Sequence, residues 1–325
     1  MPGFTTHYIF GMKAFNDMDS CQLKSIIAKY RWLYQLGLQG PDIFFYHIPF
    51  IFHRDNRNVG SFMHDHYANA FFANSLNTMT EIPSRQQREE ALSYIAGFMC
   101  HYVCDSTCHP FVYGRIHYNP TARSSKYFGK HAALENDIDN LLLWKYKGKK
   151  PSEFSQSATI SLNGFELQFI SDFLSRVINE TYYPISERNN FRMTPGKVTM
   201  SIFAQRFGNR ALADPSGRKK KHLGKVEGFF VKNPFVTEKM ITDARPDPVP
   251  VLNLDHEVWT NPWDRRLASD ESFPDLFNRA LTKCHSLFFL LNEEITDPDL
   301  LTEKDFHRIL NELGNYSYHS GLTSD

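Results

Sequence analysis

The chain has 325 residues, of which 42% are hydrophobic, so it is long enough to bury one large core or two ordinary ones. Its 36 basic and 36 acidic residues cancel, which argues against broad electrostatic attraction to nucleic acid. Its 5 cysteines have no framework-like spacing and do not indicate a disulfide scaffold.

The N-terminal segment has no charged region ahead of an apolar stretch, so it does not read as a secretory signal. No run reaches the roughly 18 apolar residues that a membrane-spanning helix needs. We therefore expect a soluble, cytoplasmic protein. Removal of Met1 would leave Pro2 with a free amine, whose ordinary pKa of about 7.7–8.0 lets it bind a metal at neutral pH. Pro2 and His7 are thus candidate ligands of one ion.

Residues 21–38 carry apolar side chains at helical spacing and are predicted to form one amphipathic helix. Asp42 follows the Gly-Pro pair that ends this helix. One interpretation makes it a turn or N-cap residue. In the other, the apolar segment behind it carries its carboxylate into the interior, where it needs a cation. The next predicted helix covers residues 61–79, and only one of His64 and His66 is expected to face a site from it.

Two pairs at helical spacing follow, His101 with Asp105 and His131 with Glu135, and His109 lies between them. Residues i and i+4 project from one face of a helix, so each pair can offer a nitrogen and an oxygen to one metal ion. Imidazole plus carboxylate suits zinc. One pair alone would be a weak signal, whereas two pairs with a third histidine between them predict a metal site.

The first pair is predicted to lie on a helix over residues 91–105, which Pro110 ends just after His109. Gly97 at its centre is expected to permit close packing of another helix, at a cost of about 1 kcal/mol. A polar loop over 111–130 then leads to a second helix at about 130–146, where Asp137 and Asp139 are expected to face solvent. Cysteines 100, 104 and 108 are favoured as packing residues over thiolate ligands, since adjacent helical positions point about 100° apart.

Beyond residue 151, helices are predicted over 158–181, 196–208 and 272–293, with the longest loop over 210–270. No fixed-period repeat and no alternating strand series appears, so the predicted class is all-α. The long loop contains the basic run 218–222 (RKKKH), for which a solvated loop is favoured over attraction to anionic lipid head groups. Residues 255–257 (DHE) are likewise expected in a solvated loop.

In this order the candidate residues resemble the zinc-dependent phospholipase C family, which shares its fold with the P1-type nucleases. The similarity is carried by THYIFG, GPD, GSFMH, CHYVCDSTCHP and KHAALE, and it covers about residues 2–145. It implies an all-α, multi-helix phospholipase C/P1 nuclease-like bundle with up to three zinc ions in one cleft. Residues 1–150 would form the metal-binding helical core, and residues 151–325 a helical continuation of the same domain with long loops.

The resemblance also implies a ligand set. One zinc would be held by Asp42, His64, His101 and Asp105. Asp105 would bridge to a second zinc, held also by Pro2 and His7, and the third would be held by His109, His131 and Glu135. In the family the first ligand is usually a terminal Trp rather than Pro, and His109 follows Asp105 more closely here than in the secreted toxins, so a different loop is expected there. GSFMH favours His64 over His66.

The expected activity is hydrolysis of a phosphodiester, in a phospholipid or a related small diester, through a metal-activated water. Asp42 is the candidate residue to orient or deprotonate that water. The expected partners are a phospholipid or other phosphodiester substrate and, through the basic run, a membrane surface, with no strong sign of nucleic-acid binding. Two other metal enzymes stay open: a P1-like nuclease or nucleotide phosphodiesterase, and an HD-type phosphohydrolase using His64-Asp65. A non-catalytic, zinc-stabilised binding protein is the alternative from another class.

Overall fold

The computed structural model describes residues 3–46, 59–123, 126–188, 192–230, 236–294 and 303–324. Helices dominate these segments, which confirms the all-α prediction. Two strands of two residues each, β1 (Trp259–Thr260) and β2 (Ala268–Ser269), form one antiparallel pair. The α-helices are α1 (Phe4–Asp17), α2 (Gln22–Lys29), α3 (Arg31–Gly37), α4 (Val59–Asp65), α5 (Ala68–Thr80), α6 (Arg85–Arg115), α7 (Phe128–Lys147), α8 (Gly164–Arg188), α9 (Pro195–Leu212), α10 (Arg218–Phe230), α11 (Pro248–Leu252), α12 (Phe273–Glu294) and α13 (Glu303–Leu313), and the 3₁₀ helices are Gly40–Tyr46, Pro151–Glu153 and Gln156–Ala158.

The core is built around α6, which is buried along almost its whole length between Ala91 and Val112. Burial on every side is typical of a helix in a protein interior rather than of one at the surface. Helices α3 and α12 pack along it most extensively, and α1, α2 and α5 cover further sides. Its N-terminus is capped by the Ser84 hydroxyl, which accepts a hydrogen bond from the Gln87 amide at 3.4 Å.

The prediction that Pro110 ends the central helix is wrong. The helix continues to Arg115 with Pro110 inside it. Proline cannot donate to the carbonyl of Ser106, four residues earlier, and the C-terminal segment of the chain lies against that point. A Cβ atom on Gly321 would be 2.5 Å from the Ser106 oxygen and 3.0 Å from Pro110 Cγ. The helix is therefore supported by tertiary packing, and no loop separates His109 from Asp105.

The prediction of close helix packing at Gly97 is confirmed. A Cβ atom at Gly97 would lie 2.1 Å from the Tyr34 carbonyl oxygen, and one at Gly37 would lie 2.2 Å from the Tyr94 carbonyl oxygen. Helices α3 and α6 thus cross with backbone against backbone. The 3₁₀ helix of Asp42 follows α3 directly, so this crossing sets its distance from α6.

Three further predictions need correction. Residues 21–38 form two helices, which meet at Tyr30 with φ −111° and ψ 40°. Residues 61–79 also form two, because Tyr67 takes the left-handed conformation with φ 56°. The expected loop over 210–270 contains α10 and α11, so the basic run lies on the first turns of a helix rather than in a loop. The three helices predicted after residue 151 all occur, as α8, α9 and α12: α8 begins six residues later than predicted, α9 is longer, and α12 has the predicted length.

We expect the α3–α6 crossing to make Gly97→Ala destabilising by about 1–3 kcal/mol, because the new methyl group forces two backbones apart. Thermal unfolding followed by circular dichroism measures this effect. The matched control is Gly164→Ala, whose Cβ would meet nothing within 4 Å. It should leave the melting temperature unchanged or slightly raised. Equal melting temperatures for both variants would contradict a crossing this close.

Candidate metal centre

Eight of the nine predicted ligands lie together, and the ninth, Pro2, falls outside the described residues. They form three groups whose ligand atoms all lie within 4.8 Å of one another inside each group. Two groups share one member, His101. The groups are His7, His101 and Asp105; Asp42, His64 and His101; and His109, His131 and Glu135.

Helix α6 supplies a row of three groups on one face, because His101, Asp105 and His109 are spaced by four residues each. All three side chains are fully buried. The prediction that His101 and Asp105 share a face is confirmed, and the unbroken helix adds His109 to the same row. Helix α7 faces this row with His131 and Glu135, so two helices bring five of the eight residues together.

Three of the buried histidines are oriented in the same way. In each, Nδ1 lies within hydrogen-bond distance of a backbone carbonyl, which can only accept, so Nδ1 carries a proton and Nε2 is the nitrogen left to bind a metal. This arrangement is typical of zinc-binding histidines, because it fixes both tautomer and ring direction. The contacts are His64 to Gly60 at 2.7 Å, His101 to Leu38 at 3.1 Å and His109 to Tyr318 at 2.7 Å.

The spacing of the ligand atoms fits zinc. His7 Nε2 lies 3.1 Å from Asp105 Oδ1, and His101 Nε2 lies 3.1 Å from Asp105 Oδ2. His64 Nε2 lies 3.3 Å from Asp42 Oδ1. Ligand atoms about 2.1 Å from one tetrahedral zinc are about 3.4 Å apart. Within the described part of the chain, none of these six atoms has a hydrogen-bond partner although all are buried. A buried polar atom without a partner is costly unless a cation meets it.

The third group is more open than the other two. His131 Nε2 lies 2.7 Å from Glu135 Oε1, and His109 Nε2 lies 3.5 Å from the same oxygen. The side chains of His131 and Glu135 are 14% and 11% exposed, whereas those of His7 and Asp105 are completely buried. A catalytic zinc site keeps a position open for water or substrate, and this group has the access that such a position needs.

The structure places His64, and not His66, beside the other ligand atoms. His66 is half-buried, its ring lies 4.8 Å from that of Phe62, and its carbonyl accepts a hydrogen bond from the Tyr182 hydroxyl. The left-handed turn at Tyr67 ends α4 directly after these residues. The His64-Asp65 motif is also split, because Asp65 is exposed while His64 is buried.

The carboxylates and histidines of the cluster strongly shift one another's pKa values. Burial opposes ionisation of Asp105, but the neighbouring His109, His101 and His7 hold the pKa of its carboxyl well below the usual range. For His64, burial opposes protonation, yet contacts with Asp105 and Asp42 outweigh it and raise the pKa to about 9. His64 is therefore protonated at neutral pH when no metal is bound, and metal binding there must displace that proton.

The expectation that Asp139 faces solvent is wrong. Its carboxylate is buried and accepts hydrogen bonds from the Thr5 amide at 3.0 Å, the Thr6 amide at 2.8 Å and the Thr6 hydroxyl at 2.6 Å. Burial raises its pKa to about 6. These contacts cap the first turn of α1, whose N-cap, Gly3, has no side chain to do so. Asp139 thereby anchors the helix that carries His7.

Two residues near the cluster have no counterpart among the predicted ones. His319 lies in the C-terminal segment, its ring is stacked on that of His64 at 5.4 Å, and burial lowers its pKa to about 3. Lys239 faces the carboxylates of Asp42 and Glu135 from the segment after α10, and burial lowers the pKa of its amine. Neither carries a local sequence signal, because each reaches the cluster only through tertiary packing.

The cysteines of α6 and residues 255–257, which the sequence analysis also considered, are not part of the three donor groups. Cys100, Cys104 and Cys108 are buried and belong to no donor group, which confirms their interpretation as packing residues. Residues 255–257 are exposed, as expected. No helix in the described part of the chain is both long and apolar enough to cross a membrane.

Comparison with known families supports the same conclusion as the geometry. The family model for zinc dependent phospholipase C matches residues 6–183, which is more than half of the chain and includes all eight described ligand candidates. This chain belongs to the zinc-dependent phospholipase C family. No curated protein and no solved structure matches it. As a member of that family, the chain has a zinc cofactor, and its three donor groups match up to three Zn²⁺ ions.

We expect zinc content to separate the two neighbouring histidines of this phospholipase C family protein. His64→Ala should lower the zinc per chain, because it removes a donor from one group, whereas His66→Ala should not. His101→Ala should remove more zinc than His131→Ala, because His101 belongs to two donor groups. Elemental analysis after gel filtration measures the ratio. If His66→Ala lost as much zinc as His64→Ala, the assignment of His64 would fail.

Proposed function

We propose that this protein is a zinc-dependent phosphodiesterase of the phospholipase C type, which hydrolyses the phosphodiester of a phospholipid or a related small diester. The supporting observation is the placement of three donor groups side by side: His101 belongs to two of them, and Asp105 lies one helical turn from both His101 and His109. Bound zinc supplies electrostatic stabilisation of the phosphoryl oxygens and lowers the pKa of a bound water. Family membership supports this class of reaction, and the substrate is our inference.

In this proposal, each residue has a separate task. Asp42, His64 and His101 would hold one ion, and Asp105 and His7 would hold a second beside it. The oxygens of Asp105 approach both His7 and His101, as a bridging carboxylate requires. His109, His131 and Glu135 hold the third ion, whose open side would admit the substrate. The amine of Pro2 completes the second site if it becomes the N-terminus.

Asp42 is the proposed base. Its carboxylate is almost fully buried, with Oδ1 at 3.3 Å from His64 Nε2 and 3.8 Å from His101 Nε2. Its amide donates to the Gln39 carbonyl at 3.0 Å, so a short 3₁₀ turn holds the residue in place. A carboxylate fixed there could orient the attacking water and take its proton, which is the role of a general base.

Replacing Asp42 by Asn should therefore lower kcat by about 10²–10⁴-fold, because the amide cannot accept the proton of the attacking water. The test measures release of phosphorylated head group from short-chain phospholipid. Zinc per chain is measured on the same samples, since Asp42 is also a proposed ligand. Asp17→Asn, at an exposed site on α1, is the control. Full activity of Asp42→Asn at full zinc content would exclude Asp42 as the base.

An aromatic wall beside the third group favours a second candidate, a P1-like nucleotide phosphodiesterase. The Tyr113 ring lies 4.6 Å from that of His131 and 4.9 Å from that of Trp263, and Tyr118 lies 5.2 Å from Trp263. Such rings could stack a nucleobase. The substrate screen should therefore pair lipid diesters with nucleotide diesters. Turnover of neither by zinc-loaded protein would favour the non-catalytic zinc-binding alternative.

One surface helix favours a lipid substrate. On α10 the side chains of Leu223, Val226 and Phe229 are 45%, 56% and 84% exposed. Three exposed basic residues, Arg218, Lys219 and Lys221, precede them on the first turn of the helix, and a fourth, Lys225, lies between Leu223 and Val226. The one acid of this helix, Glu227, is turned towards the protein, where it accepts from the amides of Val236 and Thr237. We infer that this basic and apolar face contacts an anionic lipid surface.

Reversing two of these charges, Lys221→Glu with Lys225→Glu, should weaken binding to vesicles containing phosphatidylserine by about tenfold or more, since each basic residue near an anionic surface contributes about 1 kcal/mol. Vesicle sedimentation measures the change. The matched control is Lys145→Glu with Lys149→Glu, at exposed positions on and just after α7. Turnover of a water-soluble substrate should stay the same in both. Equal binding by the two double variants would contradict the assignment.

We also propose that residues 1–150 and 151–325 form one domain. Helix α12 from the second half packs extensively on α6, and α9 packs on the 3₁₀ helix that carries Asp42. The second half thus supports the metal centre from two directions.

A further inference from the structure

The C-terminal segment, residues 315–324, is held against the metal centre by contacts that do not involve His319. The Tyr102 hydroxyl donates to the Tyr316 carbonyl at 3.1 Å, and the Asn261 side chain donates to the Ser320 carbonyl at 2.8 Å. Gly321 lies against α6 at Pro110. The segment is therefore fixed on both sides of residue 319.

Two residues of this segment contact the cluster. The Tyr318 carbonyl accepts from His109 Nδ1, which orients a proposed zinc ligand. The next residue, His319, stacks on His64 with an interplanar angle of 18°, and its ring lies 5.9 Å from that of His109. His319 therefore lies between a proposed ligand of the buried pair of sites and one of the open site.

His319 belongs to none of the three donor groups, so its geometry does not make it a zinc ligand. Its side chain is 24% exposed, whereas His64 is completely buried, which places His319 at the mouth of the cluster. Its Nδ1 lies 3.1 Å from the Tyr113 hydroxyl. If that hydroxyl donates to Nδ1, the ring proton must be on Nε2.

We propose that His319 is a substrate-contacting residue, whose Nε2 donates a hydrogen bond to a phosphoryl oxygen held at the metal centre. The carboxylate of Asp65 lies 3.5 Å from Nε2, which is too long for a strong hydrogen bond.

This inference rests on the proposed function, in that it needs a phosphate at the centre. It is tested on the full-length zinc-loaded protein with inorganic phosphate as the probe. His319→Phe keeps a ring to stack on His64 but has no donor, and His319→Gln keeps an N–H near the position of Nε2. The control is His307→Phe, at an exposed position on α13.

We expect His319→Phe to keep the wild-type zinc content and melting temperature while binding phosphate about 10–100-fold more weakly, the range expected for a hydrogen bond to a charged group. His319→Gln should recover most of this loss, and KM for the diester should rise more in His319→Phe than in the control. Loss of zinc from His319→Phe would make the residue a ligand and overturn the proposal. Unchanged phosphate affinity in His319→Phe would also overturn it.

The two proposals fail separately. A wild-type protein that binds phosphate through His319 but hydrolyses no diester would refute the hydrolase and leave the contact in place. A wild-type protein that hydrolyses diesters with the same phosphate affinity as His319→Phe would refute only the contact.

Discussion

The carboxylate of Asp105 is the constraint on which the metal centre depends. It is completely buried, and neither of its oxygens has a hydrogen-bond partner among the residues that the structure describes. One neighbouring imidazole, His64, holds a proton that it shares between Asp105 and Asp42, whereas burial lowers the pKa of both His7 and His109. An ionised carboxylate without a compensating charge is among the costliest groups to bury. Divalent cations between Asp105 and the imidazoles remove that cost, so the arrangement is stable as a metal centre and strained without one.

The features that were predicted correctly from the sequence depend on residues close together in the chain. His101 with Asp105, and His131 with Glu135, follow from the helical repeat, which depends only on residues four positions apart. The corrected features depend on tertiary contacts. Pro110 stays inside a helix because the C-terminal segment packs against the same turn. His319 contacts the metal centre from a position more than two hundred residues after His109 in the sequence. The burial of Asp139 follows from the same local rule, because its position four residues after Glu135 places it on the same buried face of α7.

The orientation of the metal-binding side chains is fixed by parts of the chain that are far apart in sequence. The carbonyls that fix the three histidines belong to α4, to the end of α3 and to the C-terminal segment. Asp139 anchors the helix of His7 from α7. Because a ligand displaced by even a fraction of an ångström binds zinc poorly, the packing of these distant elements limits metal affinity as much as the ligands do.

The donor groups differ in exposure, which indicates that the bound ions would have different roles and shows from which side a substrate would enter. The groups around Asp105 are closed to solvent, so ions there would mainly fix charge and geometry. The group of His109, His131 and Glu135 has an open side, with the ring of Tyr113 next to it. Tyr113 also contacts His319, so one aromatic residue joins the open group to the mouth of the cluster. In the proposed reaction the diester would enter along this wall, with its phosphate towards the ions and its remaining part against the aromatic rings. Substrate choice would then depend on residues outside the metal ligands, which explains why a ligand pattern that identifies the family leaves the substrate open.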